Sequence, residues 1–201
     1  ASPDGWIEGA LNETLGNNID AGTDLDDDED SDLPRPQGAP FRVFDFPIDI
    51  SSTPDTYREA SAVQAFYIGN WYHDLIYDLG FTEPFGNFQA DNFGRGGVEG
   101  DRLSVHVHDG QGFNNANFNS TGADGDFAYV QMFIFDGPSP DRDGALDTQI
   151  LIHELSHGTS IRIHGGLTGG QARGMTGRHA VAHALAGGHA HVRGRDTPPG
   201  G

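Results

Sequence analysis

The residues with the clearest chemistry in this 201-residue chain are His153, Glu154 and His157, which form the pattern H-E-x-x-H. On a helix, positions i and i+4 share a face, so two imidazoles at that spacing can reach one ion. Zinc suits such a pair because it is borderline-soft and takes nitrogen readily. Glu154, one residue beyond the first imidazole, can point beside the metal at a bound water. Zinc lowers the pKa of that water, and a carboxylate takes its proton as the oxygen attacks a carbonyl. The chain has 10 His and 7 Glu, a composition that yields the pattern by chance roughly 0.02 times per chain. The bland alternative is a helix carrying two surface histidines. The apolar run of Leu146, Ile150, Leu151, Leu155 and Ile161, closed by Gly165-Gly166, supports a helix through the motif.

A catalytic zinc site needs a third protein ligand. The extended form H-E-x-x-H-x-x-G-x-x-H requires glycine at position 160 and histidine at 163, where this chain has Ser160 and Ile163. His164 stands one place late beside two glycines and reads as a loop histidine. The other form takes a later Glu, and no Glu follows Glu154; Asp196 is the only later carboxylate.

The elements that must position the motif can be read coarsely. Ala62, Phe66, Ile68, Tyr72, Leu75, Ile76 and Leu79 recur at helical spacing, predicting a helix over 55–79 that starts at Pro54-Asp55 and stops at Gly80. Strands are expected at Phe41–Phe46, Leu103–Val107 and Phe127–Phe135, with the motif helix over about 145–164. His106 and His108 alternate with Val105 and Val107 and read as a surface or loop-facing pair. His73 reads as a helix histidine with a structural hydrogen bond. The run Asp24 to Asp32 is expected to be a solvated acidic loop. Its alternate carboxylates leave a Ca²⁺ site as the other reading, although the glycine and terminal Glu of a helix-loop-helix calcium site are missing.

Thirty acidic residues against 11 arginines and no lysine give a net charge of −19. Such a charge argues against nucleic acid or an anionic membrane surface as partner, and a monomer is expected. Without cysteine there is no disulfide scaffold, thiol nucleophile or Cys-ligated zinc ribbon. No run of about 18 apolar residues occurs. The start Ala1-Ser2-Pro3-Asp4 has no signal-peptide pattern and looks like the interior of a longer precursor. The charge is uneven: up to His157 there are 29 acidic residues and 6 Arg, and from Gly158 onward 5 Arg and 1 Asp.

The chain resembles the fungalysin family of secreted zinc metalloendopeptidases, which are thermolysin-like, from about Trp6 to Met175. The matching pieces are Gly16-Asn17-Asn18, Phe66-Tyr67-x-x-Asn70-x-x-His73-Asp74-Leu75, Gly86-Asn87-Phe88-Gln89, Asn92-Phe93-Gly94-Arg95-Gly96-Gly97, Asn114-Asn115-Ala116-Asn117-Phe118, Arg142-Asp143-Gly144-Ala145-Leu146-Asp147 and His153-Glu154-Leu155-Ser156-His157-Gly158. The resemblance implies an α+β zincin fold, present as the N-terminal half of a thermolysin-like catalytic domain, with a twisted, mostly antiparallel sheet and the two long helices packed together. It implies His153 and His157 as ligands of one catalytic Zn²⁺, Glu154 as general base, protein or peptide substrates, and secretion. It also implies that Asn115 and Ala116 belong to an edge strand that hydrogen-bonds an extended substrate. Taken alone, Asn114-Asn115 reads as a turn.

The family pattern continues Gly-Met-Gly-Glu-Gly-Trp, whose Glu is the third ligand. Here Gly174-Met175 is followed by Thr176-Gly177-Arg178-His179, so Gly177 stands in the ligand position, 20 residues after His157. The chain divides into residues 1–174, a partial peptidase domain led by an acidic, loop-rich segment over 1–40, and residues 175–201, an Ala/Gly/His/Arg-rich tail. Three readings of the tail stand side by side: a shifted frame in a GC-rich gene, a replacement ligand from His179, His183, His189 or His191, or a degenerate homologue. The expected function is zinc-dependent endopeptidase action, with this chain inactive for want of the third ligand. The alternatives are a non-catalytic metal-binding fragment and a calcium-stabilised structural or adhesion domain.

Overall fold

The structure, a computed structural model, describes residues 2–164. Leu103, Val105 and Val107 alternate with Ser104 and His106, yet all five are buried. Burial on both faces marks the interior of a parallel sheet. This strand, β2 (Leu103–Val107), pairs in parallel with β1 (Ile19–Thr23) and with β4 (Ala128–Met132). Strand β3 (Ala116–Ser120) runs antiparallel to β4 at the edge, giving the order β1-β2-β4-β3. The main sheet is therefore mostly parallel, not mostly antiparallel. The cause is connectivity: β1 reaches β2 only after helix α1 (Arg58–Asp78), a crossover long enough for parallel pairing, whereas β3 and β4 are separated by residues 121–127.

Three strand expectations change. Strand β1, Ile-Asp-Ala-Gly-Thr, has little intrinsic β preference and forms because all five residues pair in register with β2. Phe41–Phe46 is not a strand, although its alternation suggested one. Arg42 takes φ 59° and ties the segment to the leading loop, donating to the carbonyls of Gly9 at 2.7 Å and Leu11 at 3.2 Å. Phe127–Phe135 is broken at Phe133: beyond β4, strand β5 (Ile134–Phe135) leaves the main sheet to pair with β6 (Arg142–Asp143).

The two helices match their expected ranges. In α1 a 3-10 turn at Pro54–Thr56 precedes the first residue, and the C-terminus closes with Gly80 at φ 100°. The Gly80 N–H donates to Tyr77 and the Phe81 N–H to Ile76, the paired bonds of a Schellman motif. Ile76 takes the buried slot of the last turn, leaving Leu75 and Leu79 exposed on a shared outward face. Helix α2 (Thr148–Ile163) packs on α1 through Tyr72, whose hydroxyl lies 3.4 Å from Ser156 Oγ and 3.0 Å from Thr159 Oγ1. Both helices and one sheet face share a single core that includes Ile19, Phe66, Val105, Val130, Leu151 and Leu155. The alternate residues Gly22, His106, Gln131 and Asn117 form one cross-strand row on the opposite face.

The scattered amide motifs converge in one buried network. Asn18 donates to Asn70 at 3.1 Å, Gln89 to Asn18 at 3.3 Å, and Asn87 to Gln89 at 2.9 Å. His73 lies at the end of this chain, with Nε2 3.4 Å from Asn87 Nδ2 and Nδ1 3.5 Å from Asp74. The network fastens the leading segment, α1 and the 87–89 loop to one another. Asn18→Ala is expected to cost about 1–3 kcal/mol, because it strands buried amide groups of Asn70 and Gln89. Urea unfolding of the variant beside the parent measures this, and a change below a few tenths of a kcal/mol would count against it.

Candidate metal centre

Helix α2 begins cleanly because Asp147 is its N-cap, its Oδ1 accepting the N–H groups of Gln149 at 2.9 Å and Ile150 at 3.4 Å. A 3-10 turn at Gly144–Leu146, capped by Asp143, leads into it. The helix then sets His153 and His157 on one exposed face, with their Nε2 atoms 2.9 Å apart and their rings edge to face at 4.6 Å. Zinc–nitrogen bonds of 2.0–2.1 Å place tetrahedral ligand atoms about 3.3–3.4 Å apart, so the converging pair needs to open by only a few tenths of an ångström. The donor set and its convergence fit a zinc ion.

Glu154 is 7% exposed. Burial pushes its carboxyl above the usual range, and the neighbouring His157 and His153 pull it back down. A carboxylate biased in this direction is better matched to taking up a proton near neutral pH. Among the described residues no third His, Asp or Glu completes a ligand group with this pair. The expected ligand position, Gly177, and the tail histidines His179, His183, His189 and His191 lie outside the described residues. His164 caps the end of α2, with Nδ1 2.6 Å from the Ser160 carbonyl.

The edge strand lies against the motif helix. Ala116 is the first residue of β3, and Asn115 immediately precedes it, exposed, its carbonyl accepting the Phe133 N–H at 3.3 Å. The turn reading applies one residue earlier: Asn114 takes φ 59° and its side chain and that of Asp136 bind each other. Gly158 lets α2 approach β3, since a Cβ there would lie 2.4 Å from two Phe118 ring atoms. The closeness of motif helix and sheet edge thus depends on the glycine that directly follows His157.

Of the two placements expected for His106 and His108, surface or loop-facing, the structure has the second: both are buried, because β2 is an interior strand and the acidic loop closes over its polar face. His108 Nε2 lies 3.0 Å from Asp143, and His106 Nδ1 lies 3.4 Å from Asp24 and 3.8 Å from Asp109. Residues 25–28 of the acidic run are exposed as expected, but Asp24 is fully buried and its carboxylate accepts the N–H groups of Asp28 and Glu29. Arg162, in the last turn of α2, is also buried, and nothing in the sequence pattern signalled it.

The family model described as Fungalysin metallopeptidase matches residues 1–187. Extracellular metalloproteinase 4 of Arthroderma otae is 47% identical over 128 residues, covering 63% of this chain and 20% of that protein. A probable extracellular metalloproteinase 4 of Arthroderma benhamiae is 44% identical over 133 residues, or 66% of this chain and 20% of its own length. Extracellular metalloproteinase 4 of Trichophyton soudanense is likewise 44% identical, over 33% of its length. The chain spans about a fifth of the length of the first two of these relatives. No helix among the described residues is long and apolar enough to cross a membrane. With a mixed α/β sheet-and-helix fold and a match over most of its length, the chain belongs to the fungalysin metallopeptidase family.

Proposed function

We propose that this chain carries the metal-binding half of a zinc-dependent endopeptidase of the zincin type, acting on extracellular proteins or peptides. The observation that carries the reading is the convergence of the His153 and His157 Nε2 atoms to 2.9 Å beside the buried Glu154. Zinc held there would supply Lewis acidity, polarising a peptide carbonyl and acidifying a water. His153 and His157 would hold the ion, and Glu154 Oε would take and later return the proton of the attacking water. The Asn115–Ala116 edge orients an extended substrate backbone, as an unpaired strand edge can add a peptide as a further strand. The extracellular setting follows the names of the relatives. As the sequence stands, Gly177 offers no third ligand, so this reading assigns the chain weak zinc binding at the helix and no turnover.

The test is zinc titration of the metal-free chain. His153→Ala and His157→Ala are each expected to weaken binding at the helix at least tenfold, while Glu154→Gln leaves it within about twofold. Zinc affinity indifferent to both histidines would overturn the assignment.

A further inference from the structure

Asp24, His106 and Asp109 lie far apart in sequence but meet at the C-terminal ends of β1 and β2. Asp24 follows the last residue of β1, His106 is the fourth residue of β2, and Asp109 lies two residues beyond it. Parallel pairing, with Gly22 opposite His106, brings both strand ends to one side of the sheet. All three side chains are fully buried, with 0% exposure. One donor atom from each lies within 4.8 Å of the others.

Hydrogen bonding within the cluster does not account for it. The 3.4 and 3.8 Å separations from His106 Nδ1 are well beyond the 2.7–2.9 Å of a charge-assisted hydrogen bond. Neither ring nitrogen of His106 and not the Oδ2 atom of Asp109 has a hydrogen-bond partner among the described residues. Buried polar atoms are normally satisfied, so the two orphans that face each other, His106 Nδ1 and Asp109 Oδ2 at 3.8 Å, require a cause.

We propose that Asp24, His106 and Asp109 form a second metal site, distinct from the helix motif, for a divalent transition-metal ion of the zinc or cobalt class. One imidazole nitrogen with two carboxylate oxygens is a donor set that zinc and its neighbours accept, whereas calcium takes oxygen ligands. Two carboxylates balance a dication, which removes the charge cost of burying them. With bonds of 2.0–2.1 Å, ligand atoms stand about 2.9–3.4 Å apart. The Asp24–His106 pair already meets this, and Asp109 has a few tenths of an ångström to close. The ring of His106 stacks on Tyr129 at 5.7 Å, and its Nδ1 faces both carboxylates. The bound ion would fasten the acidic loop, through Asp24, to the segment running from Asp109 to Asn115 and the sheet edge.

The experiment uses the full chain with His153→Ala and His157→Ala, which remove the helix site and touch only exposed residues. Zinc or cobalt at a hundredfold excess over Kd is expected to raise its Tm by about 5–10 °C. Cobalt should also shift and broaden the His106 ring resonances, a readout that needs no substitution in the site. Adding the near-isosteric Asp109→Asn should abolish both effects while leaving the far-ultraviolet circular dichroism unchanged. The proposal fails if cobalt leaves the His106 resonances in place. It also fails if Asp109→Asn keeps the full Tm rise, or if calcium gives the rise and neither zinc nor cobalt does.

Discussion

Exchanging the four residues after Met175 by Thr176→Gly, Gly177→Glu, Arg178→Gly and His179→Trp is expected to raise zinc occupancy at the motif helix sharply. Two imidazoles supply half of a tetrahedral shell and no charge, leaving the ion with two open positions. A carboxylate at position 177 adds a third ligand, offsets one unit of the dication's charge, and leaves one position for the reacting water. Partners that only orient a ligand are worth 10–100-fold in metal affinity, so a direct ligand should tighten the helix site by about 100-fold or more. Cleavage of a general protein substrate should rise above background together with zinc occupancy. In that exchanged background Glu154→Gln should lower the cleavage rate by about 10²–10⁴-fold and leave zinc affinity nearly unchanged, because the amide cannot accept the proton. The decisive comparison is zinc affinity before and after the exchange. An unchanged affinity, or full activity in the unexchanged chain, would sink the ligand argument.

The contrast between what could and could not be read from sequence follows the range of the forces involved. The motif helix was legible because i, i+4 spacing and an apolar face are both local; its Asp147 cap emerged only with the structure. So was α1, whose stripe and Gly80 stop needed no knowledge of the rest of the chain. Strand β1 was not legible: Asp, Ala and Gly carry no β signal, and only the neighbouring β2 makes a strand of them. The parallel sheet was missed for a related reason, since alternation reports which faces a strand has but not its direction. His106 shows the limit most clearly. Its alternation with valines left a surface and a loop-facing placement open, and only the fold shows that a loop starting 82 positions earlier covers that face. The amide motifs were visible as a resemblance, but their physical role emerged only when Asn18, Asn70 and Gln89 were seen bonded to one another.

Arg162→Ala is expected to destabilise the fold by about 3–5 kcal/mol. The guanidinium is buried at the end of α2 and serves four acceptors from other segments. Its Nη1 donates to Asp101 at 2.8 Å, to the Gly86 carbonyl at 3.2 Å and to Asp124 at 3.3 Å, and its Nη2 donates to the Asp126 carbonyl at 3.0 Å. It also lies 4.3 Å above the Phe88 ring. Removing it leaves the Asp101 carboxylate, itself 1% exposed, without its counter-charge. Burial already holds the Asp101 carboxyl above its ordinary range, with Arg162 opposing that shift. Without the arginine the folded-state value rises further. A raised carboxyl is neutral and tolerated at acid pH, and its cost appears as pH climbs past the unfolded value near 3.9. The unfolded value is common to both chains, so the deficit of Arg162→Ala should be largest at neutral pH, shrink as pH falls through the raised folded values, and reach its pH-independent remainder by about pH 4. Asp101→Asn in the same chain should recover part of the loss, since the pair shares one interaction. Arg162→Lys should not recover it fully, because a single ammonium cannot span acceptors that the planar fork reaches together. Denaturant unfolding at pH 7 and pH 4 measures all of these, and a deficit independent of pH would mean that lost packing, rather than the stranded carboxylate, sets the cost.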